Sequence, residues 1–260
     1  MKIKLPLYVL VFSFLVNQAS AQNATSKVVV PDWALPGSAT HKQVPPPADF
    51  HRATVTDNTP IGIFQGQSDV GAALVPGSSS FNKAAGQYTI VSAGYNVWYQ
   101  RDEFRYLWEK ISGDVSLAAD ISFPDAAGYD DRKAFVIIRQ SLNDDSKEVV
   151  VALHGGGLLH MAWRAESGKM MQETRVNNRK GLPDLVTGHV SRIGLEKHGN
   201  TFALFVSANG EPMHQVGDSL QLHLDEPFYV GIGFCSHLPA KTDTAVLSNV
   251  VLENRAGKMR

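Results

Sequence analysis

Two histidines stand close enough in the chain to work as a pair. His154 and His160 flank Gly155-Gly156-Gly157-Leu158-Leu159, a spacing that brings both rings together across a β-hairpin. Zinc at such a pair needs a third ligand, and the sequence holds neither an H-E-x-x-H motif nor a pair of cysteines. A general-base role for His160 is the other chemistry this spacing allows. Alternation adds further polar groups. If Val149, Val151 and Leu153 point into a core, His154 points away; Leu159, Met161 and Trp163 likewise leave His160 and Arg164 together. Ile193 and Leu195 leave Arg192 and Glu196, while Arg139 shares a face with Phe135 and Ile137 and has no clear allegiance. The expected ligand face is therefore His154, His160, Arg164, Arg192 and Glu196, with Trp98, Tyr99, Trp108 or Trp163 as an aromatic platform. Planar donors and acceptors beside an indole suit a carbohydrate; the competing reading is a solvated sheet face with the tryptophans in the core.

Other constellations carry less. Asp125, Asp130 and Asp131 fall in one loop and Asn143, Asp144 and Asp145 in another, which suits a structural calcium ion. Neither loop has the EF-hand pattern, and Asp and Asn are common turn formers. Gly155-Gly156-Gly157 lacks the frame of a phosphate loop and reads as a tight hairpin. Cys235 ends the apolar run Val-Gly-Ile-Gly-Phe-Cys and reads as a small buried hydrophobe.

The elements that must position these residues are strands. Between Asp102 and Arg164 four or five strand-like runs follow one another, broken by Ser-Gly-Asp, Pro-Asp-Ala-Ala-Gly, Asn-Asp-Asp-Ser and Gly-Gly-Gly. Val115, Leu117, Ala119, Ile121 and Phe123 alternate with Ser116, Ala118, Asp120 and Ser122, the period of a half-buried strand. Further strands are expected at 61–71, 87–91, 95–100, 189–197, 201–207, 228–234 and 244–253, and a strand pair with a long loop at 166–180. Turns are expected at His198-Gly199-Asn200 and at Asn209-Gly210-Glu211-Pro212. No long amphipathic helix is evident. The fold class is all-β, an antiparallel two-sheet sandwich.

The chain's formal net charge of −1, from 24 basic and 25 acidic residues, gives no electrostatic footprint for nucleic acid. Met1 to Lys4, the apolar stretch Leu5 to Val16 and Ala19-Ser20-Ala21 before Gln22 read as a Sec-type signal peptide. That stretch is too short for a membrane span, so a periplasmic or extracellular protein without an integral span is expected. A single cysteine excludes an internal disulfide. The expected organisation is a signal peptide over 1–21, a proline-rich arm or linker over 22–60, the sandwich over 61–254 and a tail over 255–260.

The runs G-Q-Y-T-I…G-Y-N-V-W, D-E-F-R-Y-L-W-E-K-I-S-G-D, R-K-A-F-V-I-I-R-Q-S-L and A-V-L-S-N-V-V-L-E resemble the concanavalin A-like lectin/glucanase superfamily. More narrowly they resemble the bacterial jelly-roll domain found alone or fused to Tol biopolymer transporter-type β-propeller proteins. The resemblance covers about Ile61 to Glu253 and implies a jelly roll with a glycan-facing concave surface. Catalytic members of the superfamily carry E-x-D-x-E or E-x-D-x-x-E on one strand. That pattern is absent here: Asp102 and Glu103 are adjacent, and Asp120 and Glu196 are isolated. The leading expectation is a non-catalytic binder of carbohydrate or cell-envelope polymer that requires no cofactor. Its rivals are a glycoside- or polysaccharide-acting enzyme with an atypical site, and a module that docks on a periplasmic protein partner.

Overall fold

The computed structural model describes residues 52–259. The expected signal peptide over 1–21 and most of the expected proline-rich arm or linker over 22–60 lie outside the described residues. The chain begins with β1 (Val55–Asp57), β2 (Gly66–Val70), β3 (Ser78–Asn82), β4 (Gln87–Ser92), β5 (Val97–Trp98) and β6 (Arg101–Asp102). Next come β7 (Phe104–Ile111), β8 (Val115–Ser122), β9 (Lys133–Arg139), β10 (Glu148–His154), β11 (Leu159–Arg164) and β12 (Gln172–Arg175). It closes with β13 (Val190–His198), β14 (Thr201–Ala208), β15 (His214–Gln215), β16 (Leu220–Gln221), β17 (Phe228–Cys235) and β18 (Asp243–Glu253).

The first sheet runs β1-β2-β7-β17-β9-β10-β11-β12, and the second runs β15-β14-β13-β8-β18-β4-β3. Every pairing is antiparallel. The chain crosses between the sheets several times, and β17 slots between β7 and β9 although it follows them by about a hundred residues. The protein is an all-β, antiparallel two-sheet jelly-roll sandwich. No helix among the described residues is long and apolar enough to cross a membrane.

The main core lies between the sheets and takes the inward set of each strand: Val136 and Ile138 from β9, Val151 and Leu153 from β10, Ile193 and Leu195 from β13. Each such side chain contributes about 1.5–3 kcal/mol of burial. The expected strands at 87–91, 189–197, 201–207, 228–234 and 244–253 are present within a residue or two at their ends. The candidate at 61–71 shortens to β2, because Ile61 and Phe64 close a turn instead. Within 166–180 only β12 forms. Residues 95–100 form only the two-residue β5, and they do so outside the two main sheets. Val55–Asp57, within the proline-rich segment, forms the edge strand of the first sheet.

The first sheet is covered on its outer face as well. Val97 from β5, and Leu142 and Met171 from loops, pack onto Phe135, Ile137, Val150 and Ala162, making a second, smaller core. This is why β9 and β10 are buried along their whole lengths and read as nearly unbroken apolar runs. On that outer face the register lays out four rows. Glu148, Arg139 and Arg164 are paired at one end, and His154 with Lys133 at the other. Between them lie Val150 with Ile137 and Ala162, then Ala152 with Phe135 and His160. Charge therefore sits at both ends of a mostly apolar strip.

Candidate ligand-binding site

The cover that carries Trp98 is pinned by the charged row far from the histidines. Arg164 donates to both oxygens of Asp102, from Nη1 at 2.9 Å and Nη2 at 2.7 Å, and Arg139 Nη2 donates to Oδ2 at 3.0 Å. The side chains of Asp102, Arg139, Glu148 and Arg164 are all fully buried. Arg139 Nε lies 2.9 Å from Glu148 Oε2, yet neither carboxylate oxygen of Glu148 accepts an aligned hydrogen bond. Burial first, and the Asp102 charge second, push Glu148 up to about 8. Around Asp102 the backbone is tied as well: its N–H donates to the Asp144 carbonyl, and Glu103 N–H to the Asn96 carbonyl. Val97 pairs with Asp102 and Trp98 with Arg101, and Tyr99 turns the chain between them with φ at +53°. Trp98 is thus held over the sheet by a closed ring of contacts.

At the other end of the strip a cavity of about 210 Å³ opens beside Trp98. Lys133, His154 and His160 line its buried side, and Asp131, Glu173 and Arg175 its more open side. The Nε2 atoms of the two histidines stand 3.5 Å apart, with the rings edge to face. Trp98 stacks on His160 with 5.6 Å between ring centroids and 17° between planes. His160 Nδ1 lies 2.7 Å from Glu173 Oε2. A carboxylate only accepts, so Nδ1 carries the proton, and in the neutral ring Nε2 is the bare nitrogen. Arg175 Nε donates to the other Glu173 oxygen at 2.8 Å. Lys133 Nζ donates to Asn96 Oδ1 at 2.7 Å.

Burial sets the charge states. It lowers His154 to about 3, helped by the Lys133 charge, and lowers His160 too, so both rings are neutral at neutral pH. Burial also lowers Lys133. For Glu173 burial acts upward, but the bonds from His160 and Arg175 outweigh it and hold the carboxylate at about 2. The cavity thus presents a lysine amine, two neutral imidazoles, an ionised carboxylate and an indole within one small space. It offers donors and acceptors of both kinds.

His154 and His160 lie on one face of the first sheet, as alternation predicts, and Trp98 joins them at the cavity. Arg164 shares that face but is engaged away from the cavity, with Asp102 and with the carbonyls of Ser146, Lys169 and Tyr99. Arg139 sits beside it, which decides its allegiance. Trp163 belongs to the opposite side of β11 and packs against the main core. Arg192 and Glu196 are not brought together with the histidines, because they lie on β13 in the other sheet. There Arg192 pairs with Asp120 at 2.7 Å, and Glu196 accepts from Ser116 Oγ and from the backbone N–H of Gly257. Alternation tells which side of a strand a residue takes, not which sheet the strand joins. Trp108 is buried, with Nε1 donating to Ser68 Oγ, and Tyr99 is buried too. Lys133, Glu173 and Arg175 were missed. A lysine opening an otherwise apolar run was a signal for the first; nothing in 166–180 marked the other two.

Among the described residues no group of three or more His, Cys, Asp or Glu side chains is arranged to hold a metal ion. In the loops considered for calcium, Asp125 accepts from the Ala127 N–H, and Asp144 pairs with Arg101 at 3.0 Å. Cys235 is free and buried, and burial pushes its thiol up to about 11.

No family model matches the chain, nor does any curated protein. Among solved structures it is similar to a functionally unknown protein from Saccharomyces cerevisiae, with a TM-score of 0.52 and 14% identity, over 69% of this chain and 93% of that one. It is also matched to an alginate lyase from Klebsiella pneumoniae, with a TM-score of 0.42 and 10% identity, over 69% of this chain and 85% of that one. A xylan β-1,4-xylosidase from Bacillus halodurans C-125 gives a TM-score of 0.49 and 12% identity, over 79% of this chain and 40% of that one. The likeness to the yeast protein is one of fold.

Proposed function

We propose that this protein is an exported, non-catalytic carbohydrate or cell-envelope polymer binder of the jelly-roll type also fused to Tol-type β-propellers. The observation that carries the reading is the cavity beside Trp98. An indole held rigidly over a sheet stands next to Lys133, His154, His160 and Glu173, which together offer donors and acceptors to hydroxyl groups. The apolar strip and the Asp102 cluster fix that arrangement from behind, so little ordering accompanies binding. The test is a glycan-array screen of the chain from Gln22, run with calcium and again with a chelator. Trp98→Ala is expected to lose binding while keeping the native circular dichroism spectrum; Arg192→Ala, on the other sheet, is expected to bind normally. Absence of binding to every glycan in both conditions refutes the proposal.

One observation favours a catalytic reading. His160 is oriented by Glu173 through a 2.7 Å bond and kept neutral by burial, as a general base requires. Chain shortening of a bound polysaccharide, lost in His160→Gln by a far larger factor than binding is weakened, would establish it.

A further inference from the structure

The cavity beside Trp98 has a larger neighbour. At about 210 Å³ it lies below the roughly 300–1,000 Å³ usual for ligand pockets. A second concavity of about 570 Å³ opens at the end of the sandwich, between the two sheets, and His154 lines both. The wall between them is the hairpin turn after β10: Leu158 faces the first cavity and Gly155, Gly156 and Gly157 the second. A Cβ at Gly155 would stand 2.6 Å from Arg132 Nε, so that position keeps no side chain. Gly157 has φ at +85°, and a Cβ there would meet nothing within 4 Å. Asn177 braces the turn from the far side, accepting from the Leu159 N–H and donating to the Gly157 carbonyl, each at 2.8 Å. The wall is therefore held in place and bare at Gly157, while Gly155 and Gly156 are backed by Arg132 and Asp130. Beyond it, Ile121, Phe123, Leu153 and Val190 form an apolar floor, with His189 and Asn177 at the rim. A floor of that kind under a polar rim matches a sugar ring, which has one apolar face and hydroxyl edges.

From this continuity we infer that the two concavities are subsites of one groove, and that the ligand is an oligosaccharide chain crossing the glycine turn. The inference rests on the carbohydrate reading of the Trp98 cavity. It makes the protein a reader of chain segments rather than of single sugars. One residue of the chain sits beside Trp98 and His160, and the following residues lie over the turn against His189.

The experiment is titration calorimetry of the chain from Gln22 with ladders of β-1,4-gluco-oligosaccharides and of oligogalacturonates, from one to six units. Affinity is expected to rise by about tenfold or more between one and three units in one ladder. Two variants isolate the second subsite. His189→Ala removes an exposed rim group, and Gly157→Asn raises the wall with a residue that tolerates positive φ. Both are expected to flatten the length dependence and leave binding of the shortest bound ligand unchanged. Length-independent binding overturns the groove while leaving the Trp98 cavity as a glycan site. A length dependence that survives in both variants also overturns it. Failure of every oligosaccharide in both ladders to bind, together with an empty glycan array, overturns the carbohydrate reading itself.

Discussion

Asp102→Asn is the most informative single perturbation of this fold. The asparagine keeps the shape of the side chain but removes the charge that two buried guanidinium groups share. It also turns an amide donor toward Arg164 or Arg139, where three charge-assisted hydrogen bonds now converge. Breaking a fully buried ion pair costs about 3–5 kcal/mol, a large part of the roughly 5–15 kcal/mol that holds an ordinary domain together. Glu148 moderates the loss. Its raised pKa owes its second-largest contribution to the Asp102 charge, so in the variant it ionises more readily and partly neutralises the arginines. The expected loss at pH 7 is therefore near the lower end, about 3 kcal/mol, measured by urea denaturation. The pH dependence gives a second readout. Glu148 is pushed from an ordinary 4.5 to about 8, so the native state binds more protons between those values, and its contribution to stability falls as pH rises through them. In the variant that slope is expected to flatten. Glu103, raised to about 7 chiefly by burial, keeps its own share of the slope in both proteins, so the difference isolates Glu148. A stability change under about 1 kcal/mol with an unaltered slope would refute the view that this cluster pins the cover.

The strands were legible because their faces are. Val115 to Ser122 alternates, and the two-sided burial of β9 and β10 was written as Lys-Ala-Phe-Val-Ile-Ile-Arg and Glu-Val-Val-Val-Ala-Leu-His, apolar runs with charge at both ends. Those terminal charges are the residues that end up buried at the two ends of the outer strip, one pair in the Asp102 cluster and the other beside the cavity. What alternation lacks is partner identity. Arg192 sits opposite Asp120, and β13 joins β8, because pairing in a jelly roll is decided by long-range closure and not by neighbours in the chain. The cover over the outer face was invisible for a related reason. Residues 95–100 look like one more strand, and only the Asp102 contacts reveal that they lie across the first sheet instead of within it. Glu173 was hidden because a four-residue edge strand has too short a pattern to read.

Two further perturbations follow from the same geometry. At Gly231, in the middle of β17, a Cβ would stand 1.9 Å from the Leu107 carbonyl oxygen, and β7 and β9 hold the strand on both sides. Gly231→Ala is expected to cost about 3 kcal/mol or more in urea denaturation, and a loss under 1 kcal/mol would show that the strands can part there. The last perturbation is acid. His154 is held at about 3 by burial and then by Lys133, and His160 is lowered by burial, against an ordinary value of 6.5. The unfolded chain therefore binds more protons than the native one below pH 6.5, so this contribution to stability is complete above 6.5 and is lost as pH falls toward about 3. His154→Gln removes one of these two titrations while keeping a polar side chain. It should make stability less sensitive to pH between 6.5 and 4 than in the parent protein. If the acid limb is unchanged, the ring is already protonated in the native state, and a neutral imidazole facing the ligand is not how this cavity works.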